Sequence, residues 1–329
     1  MHRGVAQAHI NIALVKYWGK RDARLNLPLN GSISVTLDHY FVTASVVLVP
    51  DRPHNTVLVN GVQASGIEYG RVSDFLDRLK QVAGVSGGAQ AETTANVPMA
   101  SGLASSSAVF AALTKAFAVS LKLSWSDTDL SRLARLGSGS ACRSVHGGFV
   151  EWTKGSRPDG QDSCAVPLAP LNSWPSLTVL VVKVEAGPKA VSSRDGMQRV
   201  IDTSPLYPGW LASVDDDLRR ARDAIAQKDL TRLGLVAESN ALKMHATALS
   251  AKPPIIYWTG ATVSVIRRVQ EMRIAGLEAY VTIDAGPHPI ILADKRHAQD
   301  IADRLSEIPG VAEVVATRPG PGVEAVAPI

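Results

Sequence analysis

The sequence predicts two α+β domains in tandem. Apolar runs of period 2 and apolar faces of period 3.6 are interleaved from one end of the chain to the other. A polar stretch punctuated by Pro and Trp, residues 172–176, falls near the middle and marks the expected boundary, giving domains 1–174 and 175–329. With 329 residues and 46% hydrophobic content, the chain is large enough for two cores.

In the first half, residues 8–14 alternate small or polar with apolar side chains, as a half-buried strand does. Residues 32–37 and 40–49 read as two further β runs, and 57–62 holds an Asn60-Gly61 hairpin turn. Val72, Phe75, Leu76, Leu79 and Val82 share one helix face. A strand ending near Val97 leads through a small-residue loop to a helix over 103–121. The pattern Ser126-Asp127-Thr128-Asp129 is a capping box that opens a helix through Leu136, and 149–152 returns to strand. In the second half a buried-strand run, 177–184, precedes helical patterns over 210–227, 230–244 and 255–273. Strands near 279–283 and 290–292, a helix from Ala298 and a strand near 312–316 follow. The Gly/Pro-rich tail after Thr317 is expected to be loose.

Charge and cysteine content exclude several classes. Lys+Arg exceed Asp+Glu by 34 to 30, a mild and scattered excess that suits small anions and argues against nucleic acid. Cys142 and Cys164 are the only cysteines, with no Cys-x-x-Cys and no His-Glu-x-x-His, so neither a disulfide framework nor a structural zinc site is expected. Asn11 interrupts the apolar run 10–15, and no segment approaches the ~18 apolar residues of a membrane span. A cytoplasmic protein without a membrane partner is the expectation.

Five segments carry chemistry. Residues 96–107, Asn-Val-Pro-Met-Ala-Ser-Gly-Leu-Ala-Ser-Ser-Ser, feed a helix N-terminus, where unpaired N–H groups and the helix dipole suit a phosphate. Gly102 permits close backbone approach, although no Walker-type Gly-Lys-Ser/Thr follows; ordinary serine capping is an equal alternative on the loop alone. Lys16-Tyr17-Trp18-Gly19-Lys20-Arg21 follows the first strand and offers ammonium donors, or else a solvated strand end. The segment 137–144, Gly-Ser-Gly-Ser-Ala-Cys-Arg-Ser, exposes N–H and hydroxyl donors and ends on the Arg143 fork, which matches carboxylate or phosphate. Cys142 reads as a small buried filler rather than a nucleophile. Ser192, Ser193 and Arg194 repeat the theme at a helix start. Asp284, at a strand end before Gly286-Pro287, is placed to accept a hydrogen bond from a substrate hydroxyl, or simply to form the turn.

Together these segments resemble the GHMP kinase superfamily and, within it, the mevalonate diphosphate decarboxylase family. The likeness runs nearly end to end, through residues 11–22, 98–106, 137–144, 147–152, 191–193, 196–197, 245–247 and 284–287. It implies a GHMP kinase-like α+β fold with the active-site cleft between two domains. It implies an ATP-dependent carboxy-lyase that phosphorylates the 3-hydroxyl of mevalonate 5-diphosphate and releases phosphate and CO2 to give isopentenyl diphosphate. By the same resemblance Asp284 orients and deprotonates the hydroxyl, Lys20 supports the transfer and Arg143 holds the carboxylate. Tyr17, Trp18, Gly19, Ser138, Gly139, Ser140, Ala141, Cys142, Ser193 and Arg194 line the substrate pocket, and Arg71 and Thr203 touch the diphosphate. Pro98, Ala100, Ser101, Gly102, Leu103, Ala104, Ser105 and Ser106 cradle ATP phosphates bridged by Mg2+, without nameable protein ligands to the metal. The likeness also implies a homodimer.

Two other readings stay in the comparison. A relative acting on mevalonate 5-phosphate, or a kinase without decarboxylation, is disfavoured by Asp284, Lys20 and Arg143 occurring together. A metabolite sensor is expected to lose the base or the phosphate loop, and keeps neither loss here. The family usually continues Asp-Ala-Gly-Pro with Asn, whereas this chain has His288-Pro289. That departure implies a stiffer turn, with an altered Asp284 orientation or a pH-sensitive site.

Overall fold

The computed structural model describes residues 2–96, 105–187 and 189–327. The first half runs β1 (Gly4–Val15), β2 (Lys20–Asp22), β3 (Leu27–Pro28), β4 (Ser32–Val49), β5 (Thr56–Val59), β6 (Val62–Gln63), α1 (Gly66–Ala83), β7 (Gly88–Ala95), α2 (Ser105–Ser120) and α3 (Asp127–Gly137). A 3₁₀ helix, Gly139–Val145, then leads to β8 (Phe149–Trp152) and β9 (Ala165–Pro167). The second half comprises β10 (Leu177–Val184), α4 (Ser193–Thr203), α5 (Tyr207–Gln227), α6 (Leu230–Leu249), α7 (Gly260–Ile274), β11 (Ala279–Ile283), β12 (Pro289–Asp294), α8 (Ala298–Ser306), β13 (Val311–Thr317) and β14 (Glu324–Ala325). Among the described residues no helix is long and apolar enough to cross a membrane.

The first sheet has the order β14-β1-β4-β7-β5-β6, with β8 and β9 added beside the start of β4. Nearly every residue of β1 is buried, so both of its faces are covered. Small side chains bring α2 down onto it: a Cβ on Gly4 would lie 2.0 Å from the Ala116 carbonyl oxygen. Phe110, Leu113 and Phe117 of α2 are buried there, each worth about 1.5–3 kcal/mol of apolar burial.

The second sheet, β11-β12-β10-β13, is antiparallel throughout. Alternation along β10 divides its side chains. Leu180 and Val182 face α7 and α8, whereas Val179 and Val181 join the larger core with α5 and α6. Helices α5 and α6 therefore form a layer shared by the two sheets, and the ends of β1 and β11 are brought together beside it.

Three expectations are corrected. Residues 32–49 form one strand rather than two, because the ladder to β1 continues past a register shift near His9. The helix expected from residue 255 begins at Gly260, where Thr259 and Thr262 form a reciprocal cap. The tail is not loose. Gly320 donates to the Thr36 carbonyl (2.7 Å) and accepts from Gly148 N–H (2.9 Å), and β14 then pairs with β1. Its glycines mark close backbone approach: a Cβ on Gly320 would meet the Asp38 backbone at 2.4 Å.

Candidate active site

Strand β11 delivers Asp284 at its C-terminal end, in a turn closed by the Gly286 N–H to its own carbonyl at 2.6 Å. Further along the turn, the Pro287 carbonyl accepts from the Thr262 hydroxyl at 2.6 Å. From the end of β1 comes Lys16, whose Nζ donates to Asp284 Oδ1 at 2.5 Å and to the Ala13 carbonyl at 2.7 Å. The Lys16 side chain is 3% exposed and that of Asp284 25%, so the carboxylate alone opens to solvent. Burial pushes the Lys16 ammonium down, and the Asp284 charge opposes that shift. Lys189 donates to the Ala285 carbonyl in the same turn. Behind the strand end lies His245, buried and neutral, its pKa pushed down to about 4 by burial and next by Lys16.

Arg143 projects from the 3₁₀ helix and is itself buried. Its Nε donates to Asn11 Oδ1 (3.1 Å) and its Nη1 to Ser32 Oγ (2.6 Å), while Asn11 Nδ2 binds Ser144 Oγ (2.7 Å). The guanidinium also feels the Asp284 charge. Beside it, Tyr17 packs edge-on to Trp152 at 4.7 Å, and its buried hydroxyl has no hydrogen-bond partner among the described residues. A buried hydroxyl so placed suits a polar ligand group. A Cβ on Gly139 would come within 2.9 Å of Tyr17 and Trp152, so glycine is required against that ring. Gly19 has φ +121° and a Cβ there would strike the Tyr207 hydroxyl, which donates to the Trp18 carbonyl at 2.9 Å. Trp18 is a buried wall of the same region, edge-on to Tyr257.

Three further cations lie near one another, with Arg194 also close enough to Tyr17 to act on it. Lys20 Nζ donates to Asn26 Oδ1 at 2.6 Å, and its pKa is pushed down to about 8 by burial, then by Arg194 and Arg71. Arg71, on α1 over the Phe110 ring, is likewise pushed down by burial and by Arg194. None of the three is in an ion pair among the described residues. Ser192 caps α4, which places Ser193 and Arg194 in its first turn. Hydroxyls join the phosphate-loop end to this region: Ser106 Oγ lies 3.4 Å from Ser138 Oγ, and Ser138 Oγ 3.5 Å from Ser140 Oγ.

Most of the expected residues thus converge, with exceptions. The lysine that meets Asp284 is Lys16, not Lys20, which stands in the cation cluster. Thr203 is at the far end of α4, about 13.5 Å along the axis from Arg194, and its hydroxyl is used by the Arg199 carbonyl and the Lys252 N–H. Ala141 and Cys142 are fully buried behind the pocket face, and burial pushes the Cys142 thiol up to about 12, which suits a filler. Pro98, Ala100, Ser101, Gly102, Leu103 and Ala104 lie outside the described residues, and Ser105 opens α2. His288 Nδ1 accepts from the Val184 N–H at 3.2 Å, tying the turn to β10. Among the described residues no group of three His, Cys, Asp or Glu could hold a metal. Lys16, Asn11 and Lys189 are residues to which sequence reasoning gave no individual role. A charge closing an apolar strand (Lys16) and a polar residue inside one (Asn11) were the available signals.

A carboxylate paired to a buried lysine, a buried guanidinium and an unpaired cation cluster, set between two α+β halves, define a small-molecule phosphotransferase site of the GHMP kinase type. Residues 8–165 match the diphosphomevalonate decarboxylase-like N-terminal domain, and residues 179–319 the mevalonate 5-diphosphate decarboxylase C-terminal domain. The chain belongs to the diphosphomevalonate decarboxylase family. It is 34% identical to the diphosphomevalonate decarboxylase of Candida albicans, over 98% of this chain and 97% of that one. The crystal structure of mevalonate diphosphate decarboxylase from Staphylococcus aureus superposes with a TM-score of 0.94 at 40% identity, covering 99% of this chain and 98% of that one. A structure described as MDDEF in complex with MVAPP, AMPPCP and magnesium gives 0.93 at 40% identity, covering 99% of each chain.

Proposed function

We propose that this chain catalyses the ATP-dependent decarboxylation of mevalonate 5-diphosphate to isopentenyl diphosphate. The observation that carries the reading is the Lys16–Asp284 pair at 2.5 Å, opening onto one cleft with Arg143 and the Lys20, Arg71, Arg194 cluster. Asp284 accepts the proton of the 3-hydroxyl as the oxygen attacks the terminal phosphoryl group of MgATP, and ADP leaves. The C–C bond to the carboxylate then breaks, its electrons form the double bond, and the C3–O bond breaks to release phosphate with CO2. Lys16 holds the carboxylate in place. Arg143 stands where it can orient the substrate carboxylate, and Tyr17 offers its free hydroxyl. Magnesium enters as part of the nucleotide substrate, since the donors near the loop are hydroxyls and cations suited to phosphate oxygens.

Three clustered cations match a diphosphate better than a monophosphate. The decisive experiment incubates the protein with ATP and either mevalonate phosphate, following ADP and CO2 separately. ADP and CO2 in equal amounts from the diphosphate are expected. ADP alone would leave a kinase, and no ADP with either substrate would sink both readings. The same proposal places the boundary between domains at 174–175 and the enzyme in the cytoplasm as a homodimer, checked by fractionation and light scattering.

A further inference from the structure

Lys16 is the first residue beyond β1, so its backbone groups have left the strand ladder. They are met by side chains instead: Asn240 Oδ1 accepts its N–H at 2.8 Å, and Asn30 Nδ2 donates to its carbonyl at 2.7 Å. Asn240 lies in α6 and is wholly buried. Its other end donates from Nδ2 to Asp217 Oδ2 at 2.8 Å, across the α5–α6 contact. Asp217, 4% exposed, also accepts from Lys243 Nζ at 2.6 Å, and Lys243 donates to Ser213 Oγ at 2.9 Å. An ionised carboxylate only accepts. Asp217 therefore fixes which end of the Asn240 amide faces it, and leaves the oxygen turned to the Lys16 N–H.

We infer that Asn240, oriented by Asp217, is a positioning residue that aims Lys16 at Asp284. The chain of contacts is Lys243, Asp217, Asn240, the Lys16 backbone and then Asp284 Oδ1. It crosses from helices of the second half to a strand end of the first. Neither Asn240 nor Asp217 contacts the carboxylate that meets the substrate, so their effect reaches the reaction through Lys16. Helix α6 also carries His245, whose Nε2 lies 3.3 Å from the Ile283 carbonyl next to Asp284, so one helix braces the backbone on both sides of the pair. The inference rests on the proposed role of Asp284.

The test is a swap, read as kcat and KM on ATP and mevalonate 5-diphosphate. Asn240→Asp sets two carboxylates against each other and should lower kcat about 10²-fold with KM nearly unchanged. Asp217→Asn frees the amide to turn over and should lower kcat by a smaller factor. The double variant Asp217→Asn with Asn240→Asp restores the link to Lys16, since the new amide donates to the new carboxylate, which accepts the Lys16 N–H; it gives up only the Lys243 contact, because Asp217 Oδ2 accepts from both Asn240 and Lys243. It should recover kcat to within about threefold of the parent. If Asn240→Asp does not fold, the double variant decides alone. A folded double variant still more than about 30-fold down in kcat overturns the inference, as do single variants with parental kcat. Asp284→Ala is measured beside them. If it stays active, the role of Asp284 fails; if it is inactive while the Asn240 and Asp217 variants are indifferent, only the positioning fails.

Discussion

The two charged regions of this cleft are built on opposite plans. Lys16 and Asp284 neutralise each other at 2.5 Å, with the lysine buried among backbone carbonyls. Lys20, Arg71 and Arg194 repel one another and form no ion pair among the described residues, although Glu68 partly offsets the charge on Arg71. The first arrangement is preorganised and needs no ligand to complete it. The second stores repulsion that a bound anion would relieve, which fits the binding role proposed for it.

The sharpest way to break that contrast is to remove the carboxylate. Asp284→Ala should lower kcat by about 10²–10⁴-fold while the KM for mevalonate 5-diphosphate changes little. Lys16→Met should be next, at about 10²-fold in kcat, and should also cost about 3 kcal/mol in urea unfolding because it strands a part-buried carboxylate. Arg194→Gln should act in the opposite sense, raising the KM for the diphosphate about tenfold with kcat nearly kept. If it lowered kcat alone, the division of labour would be wrong.

A pH series sharpens the comparison further. Lys20 in the free protein gives up its proton near pH 8, well below the ordinary lysine value. In the proposed role the charged form binds the diphosphate, so KM should be flat below about pH 8 and rise above it, and Lys20→Arg should remove the rise. The sign for stability is the reverse. Because the folded value is the lower one, the cost of holding the charge is present below that pH and is relieved as pH rises through it. The smallest effect is expected at His288→Asn. With Nδ1 engaged by the Val184 N–H, away from Asp284 Oδ1, turnover across neutral pH should change less than about twofold.

Local patterns were legible from the chain and long-range partnerships were not. Asp284 could be read because Asp-Ala-Gly-Pro is a self-contained turn, and the Ser126 and Ser192 caps because both ends of each contact lie within four residues. Lys16 could not, since its partner is 268 positions away and the neighbouring Lys20 offers the same ammonium to a reader of sequence. Thr203 shows a related limit on reading sequence: nothing local tells which end of α4 a ligand would meet. The tail was misjudged because glycine and proline mark both disorder and close backbone packing, and only the surface they rest on decides between them.

That tail has a consequence for how the molecule is made. The edge of the first sheet is closed by β14, and residues 318–323 brace the segment that carries Arg143, through Gly320 on Gly148 and Val323 on Val145. During synthesis these residues follow β10 to β13, so the amino-terminal layer stays unfinished until they are made. The Arg143 segment is thereby braced by a short ribbon distant from it in sequence, and a cut near Arg318 should loosen the guanidinium without touching the aspartate.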